Sequence, residues 1–566
     1  MRYWKSLAFC RDNLQFEQWR PMSLDNFSQS LDCTRRNAQL LIKRLIKERF
    51  LEWQPGVGRG NLPNAKLLKC PNERLEQQAF RLLEEGKVAQ ALLLVKDSHR
   101  DNFLENYLAQ FQPKDASKHI LKIPFYRGTH CLDPVLITRR TEIHLASYLY
   151  ANLLTINTDH LDIQADLAHS WKLIGHTLEI TLRKGLKFQD GSPLLAQDIK
   201  AHFERLMSSD AGCKVLFAFI DDVVVIDDLS IHFVSHSMPS LLPKLLAHSA
   251  MGITKAIKGE IVGTGPFCLE EQTEWRTLMT INPHYHGFRP WIDGIEIWNI
   301  GDKAKNFDLN SHVVHGSHIR EGHASGFRAQ NQWEEGCVYA TFNVNRNGWM
   351  SKRAHRAALQ EILSHMGAPQ SQQCEVLAGA SGMMSSPESL RSSTLDLIAE
   401  YIRSLPKPEA PLSVVTYQLA THIETARLVV ESLEKLGIDA KLAVHEYPVF
   451  DQLSTLSQAD VIICGEVFGE DTEMSWLGWL FNTSALTACL TDKEQHWLKQ
   501  NCTEAMAQPK LATRLKQFEK IENSLIRKGI YQPLFHVEQD LNISNTVTAP
   551  ALLANGWIDF NQVVMK

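Results

Sequence analysis

A chain of 566 residues is longer than one hydrophobic core serves, so roughly two to four domains are expected. Its 44% hydrophobic and 22% charged residues are ordinary for a soluble globular protein, and no run approaches the ~20 apolar residues of a membrane span. The net charge of −5 is unevenly spread: residues 1–70 hold 13 Lys and Arg against 6 Asp and Glu, a net of +7, which leaves −12 for the rest. A basic head on an acidic body suggests that the head meets a polyanion.

At the N-terminus the apolar run from Leu7 to Cys10 is too short for a signal h-region and charges flank it at once. The eleven cysteines are odd in number and contain no C-x-x-C, which fits reduced thiols better than a disulfide framework. A cytoplasmic location without a membrane partner is expected. Tyr3, Trp4, Leu7 and Cys10 recur at helical spacing, with Phe16 as a candidate extension. Ser23 is placed to cap a short second helix carrying Leu24, Phe27 and Leu31. Thr34 is placed to cap a third, in which Ala38, Leu41, Ile42, Leu45 and Ile46 form one buried face. A short helix, a tight turn and a longer helix make a helix-turn-helix.

The other side of the third helix carries Arg35, Arg36, Asn37, Gln39 and Lys43. A recognition helix presents such residues to the major groove, where Arg forks onto guanine and Asn or Gln onto adenine. The alternative is a merely solvated face; the helix-turn-helix spacing and the basic excess favour double-stranded DNA. Residues 50–54, the glycine-rich 55–60 and residues 61–68 read as a wing, with Arg59 at its tip for a phosphate or the minor groove. The spacing G-x-G-x-G is not that of a dinucleotide loop, and no helix start follows. Residues 1–70 are thus read as a winged helix-turn-helix, with Arg35, Arg36, Asn37 and Gln39 reading bases and Lys43 and Arg59 holding phosphates.

From 71 to 118 the pattern is helical, through Leu75, Ala79 and Leu82, then Val88, Leu92 and Val95, then Phe103, Tyr107 and Phe111 before Pro113. This is a packed connector rather than a Gly/Ser linker. A rigid transmitter and a homodimer contact both remain open for it. Residues 120–125 open the body as a strand, Leu132-Asp133-Pro134 follows, and a helix is expected over 142–154. Residues 165–207 form a module. Trp171, Leu173, Leu178, Ile180 and Leu182 alternate on either side of Ile174-Gly175-His176, giving strand, turn and strand. Asp190-Gly191 is a turn dipeptide, and a helix follows from about Gln197 with Ile199, Phe203 and Leu206 inward.

That order, from Leu167 to Arg205, resembles the signature of the family 5 extracytoplasmic solute-binding proteins, the oligopeptide, dipeptide and nickel binders of ABC transporters. Gly263-Thr264-Gly265-Pro266-Phe267 and the stretch from Asn282-Pro283-His284-Tyr285 to Asp293-Gly294-Ile295 resemble two further pieces of it. Asn343 to Arg346, followed by Arg353, Arg356 and Leu359, is similar to the family's entry into the second lobe. Beyond it, strands over 412–417, 438–444 and 459–464 and a helix over 423–436 make a βαβ unit with a parallel sheet. The resemblance implies a two-lobed α/β body like the type II periplasmic-binding proteins, with a ligand in the interlobe cleft. Lobe I is expected over 119–340 with a return segment 526–566, and lobe II over 341–525.

A winged helix-turn-helix ahead of such a body is similar to the SgrR-type transcription regulators. Thr34-Arg35-Arg36-Asn37 and Gly56-Val57-Gly58-Arg59-Gly60 carry the likeness in the head, and Arg139 to His144 and Glu335-Gly336-Cys337 carry it in the body. The resemblance implies a sensor of sugar-phosphate stress that activates transcription, notably of a small regulatory RNA, and takes a sugar phosphate or related small molecule as effector. The alternative is a solute-binding component of a peptide or nickel transporter. No spacing names the ligand; Arg346, Arg353 and Arg356 are cleft candidates, weighed against surface or interlobe packing.

Other chemistry is set aside. His312, His315, His318 and His323 have a spacing that suits Zn²⁺ or Ni²⁺, but their Ser/Gly/Asn-rich context reads as a loop, and no metal is expected. Gly379-Ala380-Ser381-Gly382 has Met383 where a nucleophile elbow needs glycine. Asp221-Asp222 and Asp227-Asp228 bound a valine-rich strand and mark its turns. Neither an enzyme nor a cofactor is expected.

Overall fold

The structure, a computed structural model, describes the chain except residues 1, 32, 57–61, 85–89, 92, 97–102, 104–117, 126–127, 158–161, 258, 274–275, 300–310, 316–325, 367–368, 370–375, 379 and 385–394. In the head, α1 (Arg2–Asn13) buries Tyr3, Leu7 and Cys10. Phe16 does not extend that stripe. It lies past the helix end, is 55% exposed, and bridges to Leu67 through its backbone. After β1 (Arg20–Pro21), the Ser23 hydroxyl accepts the Asn26 amide and starts α2 (Leu24–Ser30). Thr34 accepts the Asn37 amide and starts α3 (Arg35–Lys47). Each cap satisfies an amide that the first helical turn leaves without an intrahelical partner.

β2 (Leu51–Gln54) and β3 (Asn64–Leu67) pair antiparallel, and β1 joins β3, giving the order β1-β3-β2. Three helices on a small antiparallel sheet are a winged helix-turn-helix. The wing tip with Arg59 lies outside the described residues. α4 (Asn72–Glu84) places Leu75, Ala79 and Leu82 in the same core as Phe27, Leu45 and Leu51. Structurally, the first connector helix is therefore part of the head. Most of the second and third connector helices lies outside the described residues.

The body begins with β4 (Ile120–Phe125) and α5 (Arg140–Leu149). The helix ends five residues before the expected position, and Leu154–Ile156 is a short strand. The cause is the turn at 263–267. The Gly265 amide takes the Leu149 carbonyl, and Thr264 Oγ1 accepts the Ala151 amide at 3.0 Å. A Cβ on Gly263 or Gly265 would come within 2.2 and 2.5 Å of the Leu149 and Tyr148 carbonyl oxygens. The glycines are there because two backbones touch.

The module follows as expected: β5 (Ala168–Ile174), Gly175 at φ +60, β6 (Thr177–Leu182), and α6 (Ala196–Ser208). β7 (Asp222–Asp227) and β8 (Ser230–Val234) complete an antiparallel sheet of order β5-β6-β8-β7. Arg205 of α6 forks onto Asp133 at 2.7 and 2.8 Å, tying the module to the start of the body. After α7 (Leu242–Ala247) come β9 (Phe267–Gln272), β10 (Arg276–Ile281) and β11 (Gly294–Asn299), which join β4 in the order β9-β10-β11-β4. Ile295 and Ile297 of β11 face the lobe I core, whereas Trp298 points the other way and joins the core of the head.

An eight-stranded sheet links the lobes; one member, Val376–Ala378, is a short strand paired with residues 535–537. The sheet also contains β12 (Val313–His315), β13 (Phe327–Trp333) and β14 (Gly336–Phe342). After α8 (Arg353–Ser364) it takes in β15 (Leu412–Tyr417). α9 (Ala420–Lys435) then leads to β16 (Ala440–His445) and β17 (Val461–Val467), and α10 (Thr472–Asn482) precedes the 14-residue β18 (Tyr531–Ser544). The central order is β12-β18-β14-β17-β15-β16, with β15 parallel to β16 and β17 as the βαβ reading requires. The first half of β18 pairs with β14 in lobe II and its second half with β12 and β13 in lobe I. The chain thus crosses between lobes at Glu334-Glu335 and again near Val537, earlier than the expected end of lobe I at 340 and later than the expected return at 526, because β14 and the first half of β18 pair with each other inside lobe II.

His315 lies in β12 and His312 directly precedes it, with Nδ1 accepting the Lys122 amide at 2.9 Å. The loop reading fails there because β18 and β4 use the backbone of 312–315. Burial holds the His312 imidazole down to about 4. His318, His323 and Gly379 lie outside the described residues.

Candidate functional site

Two places carry candidate chemistry. On α3, Ala38, Ile42 and Leu45 are buried, while Arg35, Arg36, Gln39 and Lys43 are exposed and Asn37 is half-buried beside the Thr34 cap. Arg35 lies 3.6 Å from Asp25, both well exposed, a pair that solvent screens. Among the described residues no ion pair engages Arg36, Lys43 or Lys47. Beyond them, a cluster fixes the helix's far end. Tyr3 donates to Glu48, which also pairs with Arg44 at 2.9 Å and Arg74 at 3.1 Å, and the Arg44 guanidinium lies 3.9 Å over the Tyr3 ring. Burial and the bond to Glu48 push the Tyr3 phenol up to about 12.

The second place is the cleft. A cavity of about 470 Å³ opens between the lobes, lined by Thr138, Arg139, Arg140, Lys244 and His248 from lobe I and by Tyr417, His422, Glu466, Asp471 and Trp479 from lobe II. That volume lies in the roughly 300–1,000 Å³ range of small-molecule pockets. The lobes touch around it. Lys244 Nζ reaches Asp471 at 2.9 Å and Glu473 at 2.7 Å, and Thr138 donates to Asp451 at 2.8 Å. The Arg139 guanidinium lies 5.1 Å from the Tyr447 ring centroid.

Each cation of the cleft already has an anionic partner: Arg139 with Glu142 at 3.1 Å, Arg140 with Glu334 at 3.0 Å, and Lys244 with Glu473 of α10 and with Asp471, which caps that helix. Burial disfavours the charge on Glu473, yet hydrogen bonds from Arg514 and Lys244 outweigh it and hold the carboxyl below its ordinary range. Glu466, by contrast, is pushed up by burial to about 7, with the Thr483 hydroxyl as its donor at 3.4 Å.

Arg346, Arg353 and Arg356 are absent from the described cavity lining. Arg346 binds Asp460 at 3.1 Å and the Gln458 carbonyl. Arg353 binds the Arg527 carbonyl, and Arg356 binds the carbonyls of Met350, Ser351, Lys528 and Gly529. They staple lobe II together, because a guanidinium with several donors near a helix end satisfies carbonyls that lack partners. The cleft residues lie in segments with no spacing of their own. Of the polar residues named above, only Arg139 and Arg140 stand in a recognisable motif.

The fold and the cleft define the class: a winged-helix head joined to a two-lobed solute-binding body. Residues 162–363 match the model of the bacterial extracellular solute-binding proteins, family 5 middle region, and residues 11–114 match the sugar transport-related sRNA regulator N-terminal domain. The chain thus has the SgrR domain order, a regulator N-terminal domain followed by a family 5 body. It is 23% identical to the HTH-type transcriptional regulator SgrR of Yersinia pestis, over 95% of this chain and 94% of that protein. It is 24% identical to the Bacillus subtilis protein YhjP, over 97% and 96% of the two chains. In fold, the body is similar to the oligopeptide-binding protein AppA of Bacillus subtilis, in complex with a nonapeptide. The TM-score is 0.66 at 14% identity, covering 79% of this chain and 99% of that one. It is also similar to NikZ of Campylobacter jejuni, in complex with Ni(L-His), with a TM-score of 0.61 at 13% identity, covering 79% and 99%.

Proposed function

We propose that the chain is a cytoplasmic, ligand-responsive transcription regulator that grips double-stranded DNA with α3 and holds a small molecule in the interlobe cleft. The observation that carries this reading is the outward face of α3. In a winged helix-turn-helix, Arg36, Gln39 and Lys43 stand exposed while Ala38, Ile42 and Leu45 anchor the opposite side. Arg35, Arg36 and Gln39 meet base edges, and Lys43 meets a phosphate. Asn37, half-buried at the first turn, and Arg59 on the wing remain part of the reading from sequence.

The coupling runs through packing. The head rests on lobe I at Trp298, and lobe I meets lobe II at Lys244 and Thr138. An effector that prefers one lobe arrangement changes how the head is presented, by no more than its differential affinity for the two states. The finer reading is activation by a sugar phosphate or related metabolite. The matched N-terminal domain is described as that of a sugar transport-related sRNA regulator, which supports a link to sugars. In the cleft, Lys244 meets such an anion once the anion replaces a carboxylate of α10.

The test is binding of the purified chain to labelled DNA from upstream of its own gene, at fixed salt, with and without glucose 6-phosphate. Specific binding that shifts with the sugar phosphate is expected. Specific binding indifferent to it keeps the regulator and removes that effector. Absence of specific binding leaves the alternative, a solute-binding component of a peptide or nickel transporter.

A further inference from the structure

We propose that Leu40 reads the 5-methyl group of one thymine in the major groove. The inference rests on the DNA-binding reading and adds a base contact to it. At 100° per residue, Arg36, Leu40, Lys43 and Lys47 fall at i, i+4, i+7 and i+11, one stripe along α3. All four are exposed, and Leu40 is 58% exposed at the centre of the stripe. The buried residues Ala38, Ile42 and Leu45 occupy the opposite face, so Leu40 has no place in the core of the head.

The neighbours of Leu40 decide what it meets. A protein groove that covered it would also desolvate Arg36 and Lys43, one turn to either side, and among the described residues neither carries an ion-pair partner. A second copy of α3 packed on the stripe would set cations against cations. A surface with phosphates at its rim and an apolar group on its floor matches a leucine ringed by cations. The major groove is such a surface, and thymine is the base that offers a methyl group there. The minor groove shows only acceptors and the guanine amine, so Leu40 gains nothing in it.

The experiment uses the full chain and a site selected from random double-stranded DNA. Each thymine of the site is replaced in turn by deoxyuridine, which removes the methyl and keeps the base pair. Affinities of the native chain and of Leu40→Ala are measured at one salt concentration. One replacement is expected to weaken the native chain about fourfold, the worth of one buried methyl. The same replacement leaves Leu40→Ala unaffected, and Leu40→Ala binds the thymine site more weakly than the native chain does. Replacements that affect both proteins equally, or neither, overturn the assignment while leaving DNA binding intact. Failure to select any site overturns the DNA reading and this inference with it.

Discussion

The head and the cleft use the same residue types in opposite ways. On α3, Arg36, Lys43 and Lys47 stand in solvent without carboxylate partners among the described residues. In the cleft, Arg139 is buried and Arg140 and Lys244 are partly so, and each is matched by an acid at 2.7–3.1 Å. The difference follows from the cost of burying charge. A solvated cation keeps its hydration and is free to meet a phosphate, whereas a buried one must be neutralised within the fold. A basic excess in sequence therefore marks a polyanion-binding surface only where the cations stay exposed.

Substitutions that separate stability from DNA affinity sharpen this contrast. Glu473→Ala should have the largest effect. It strips Lys244 and Arg514 of a partner that is 1% exposed, and the loss of a buried pair costs about 3–5 kcal/mol. Urea unfolding of the full chain measures it; a loss well below 1 kcal/mol would mean that the cleft cations are as solvated as those of the head. Arg36→Ala should leave that unfolding curve in place and weaken operator binding by ~1–3 kcal/mol, with relaxed sequence preference. An unchanged operator affinity removes Arg36 from the reading set.

Lys43→Ala is expected to weaken binding evenly across sequences and to lower the slope of log affinity against log salt by about 1. A slope equal to that of the native chain assigns Lys43 to solvent. The smallest effect concerns pH. Burial raises the Glu466 carboxyl from 4.5 to about 7, so between those values the folded chain binds more protons than the unfolded one. The contribution of Glu466 to stability therefore falls as pH rises from 4.5 to 7. Glu466→Gln should flatten that part of the melting-temperature profile and leave the parallel contribution of Glu522, also raised to about 7 by burial. An identical profile in the variant would locate the slope elsewhere.

Much of the head was legible because its signals are local. Ser23 and Thr34 cap the helices they precede, and the 3,1,3,1 spacing from Ala38 puts Ala38, Ile42 and Leu45 in the core. Ile46 escaped that pattern, 41% exposed near the end of the helix, where the apolar stripe has drifted off the core face. The module at 165–207 was legible for the same reason, since alternation and Asp190-Gly191 need only near neighbours. The end of α5 was not. Leu149 and Tyr150 have ordinary helical neighbours, and it is a turn more than 110 residues away that takes up the Leu149 carbonyl.

The cleft was the least legible part. Arg346, Arg353 and Arg356 looked like ligand residues because they stand in a family motif, yet they bind mainly backbone carbonyls of lobe II. Lys244 has no neighbour in sequence to mark it, and only the meeting of α7 with α10 and its cap gives it Glu473 and Asp471. By itself, then, the sequence determined the helices, hairpins and domain order, which rest on periodicity, caps and turn residues within a few positions. The tertiary structure alone decided which charges stay solvated, which are neutralised and which residues line the cavity. Those outcomes depend on the field and solvent access that distant segments create when they pack together.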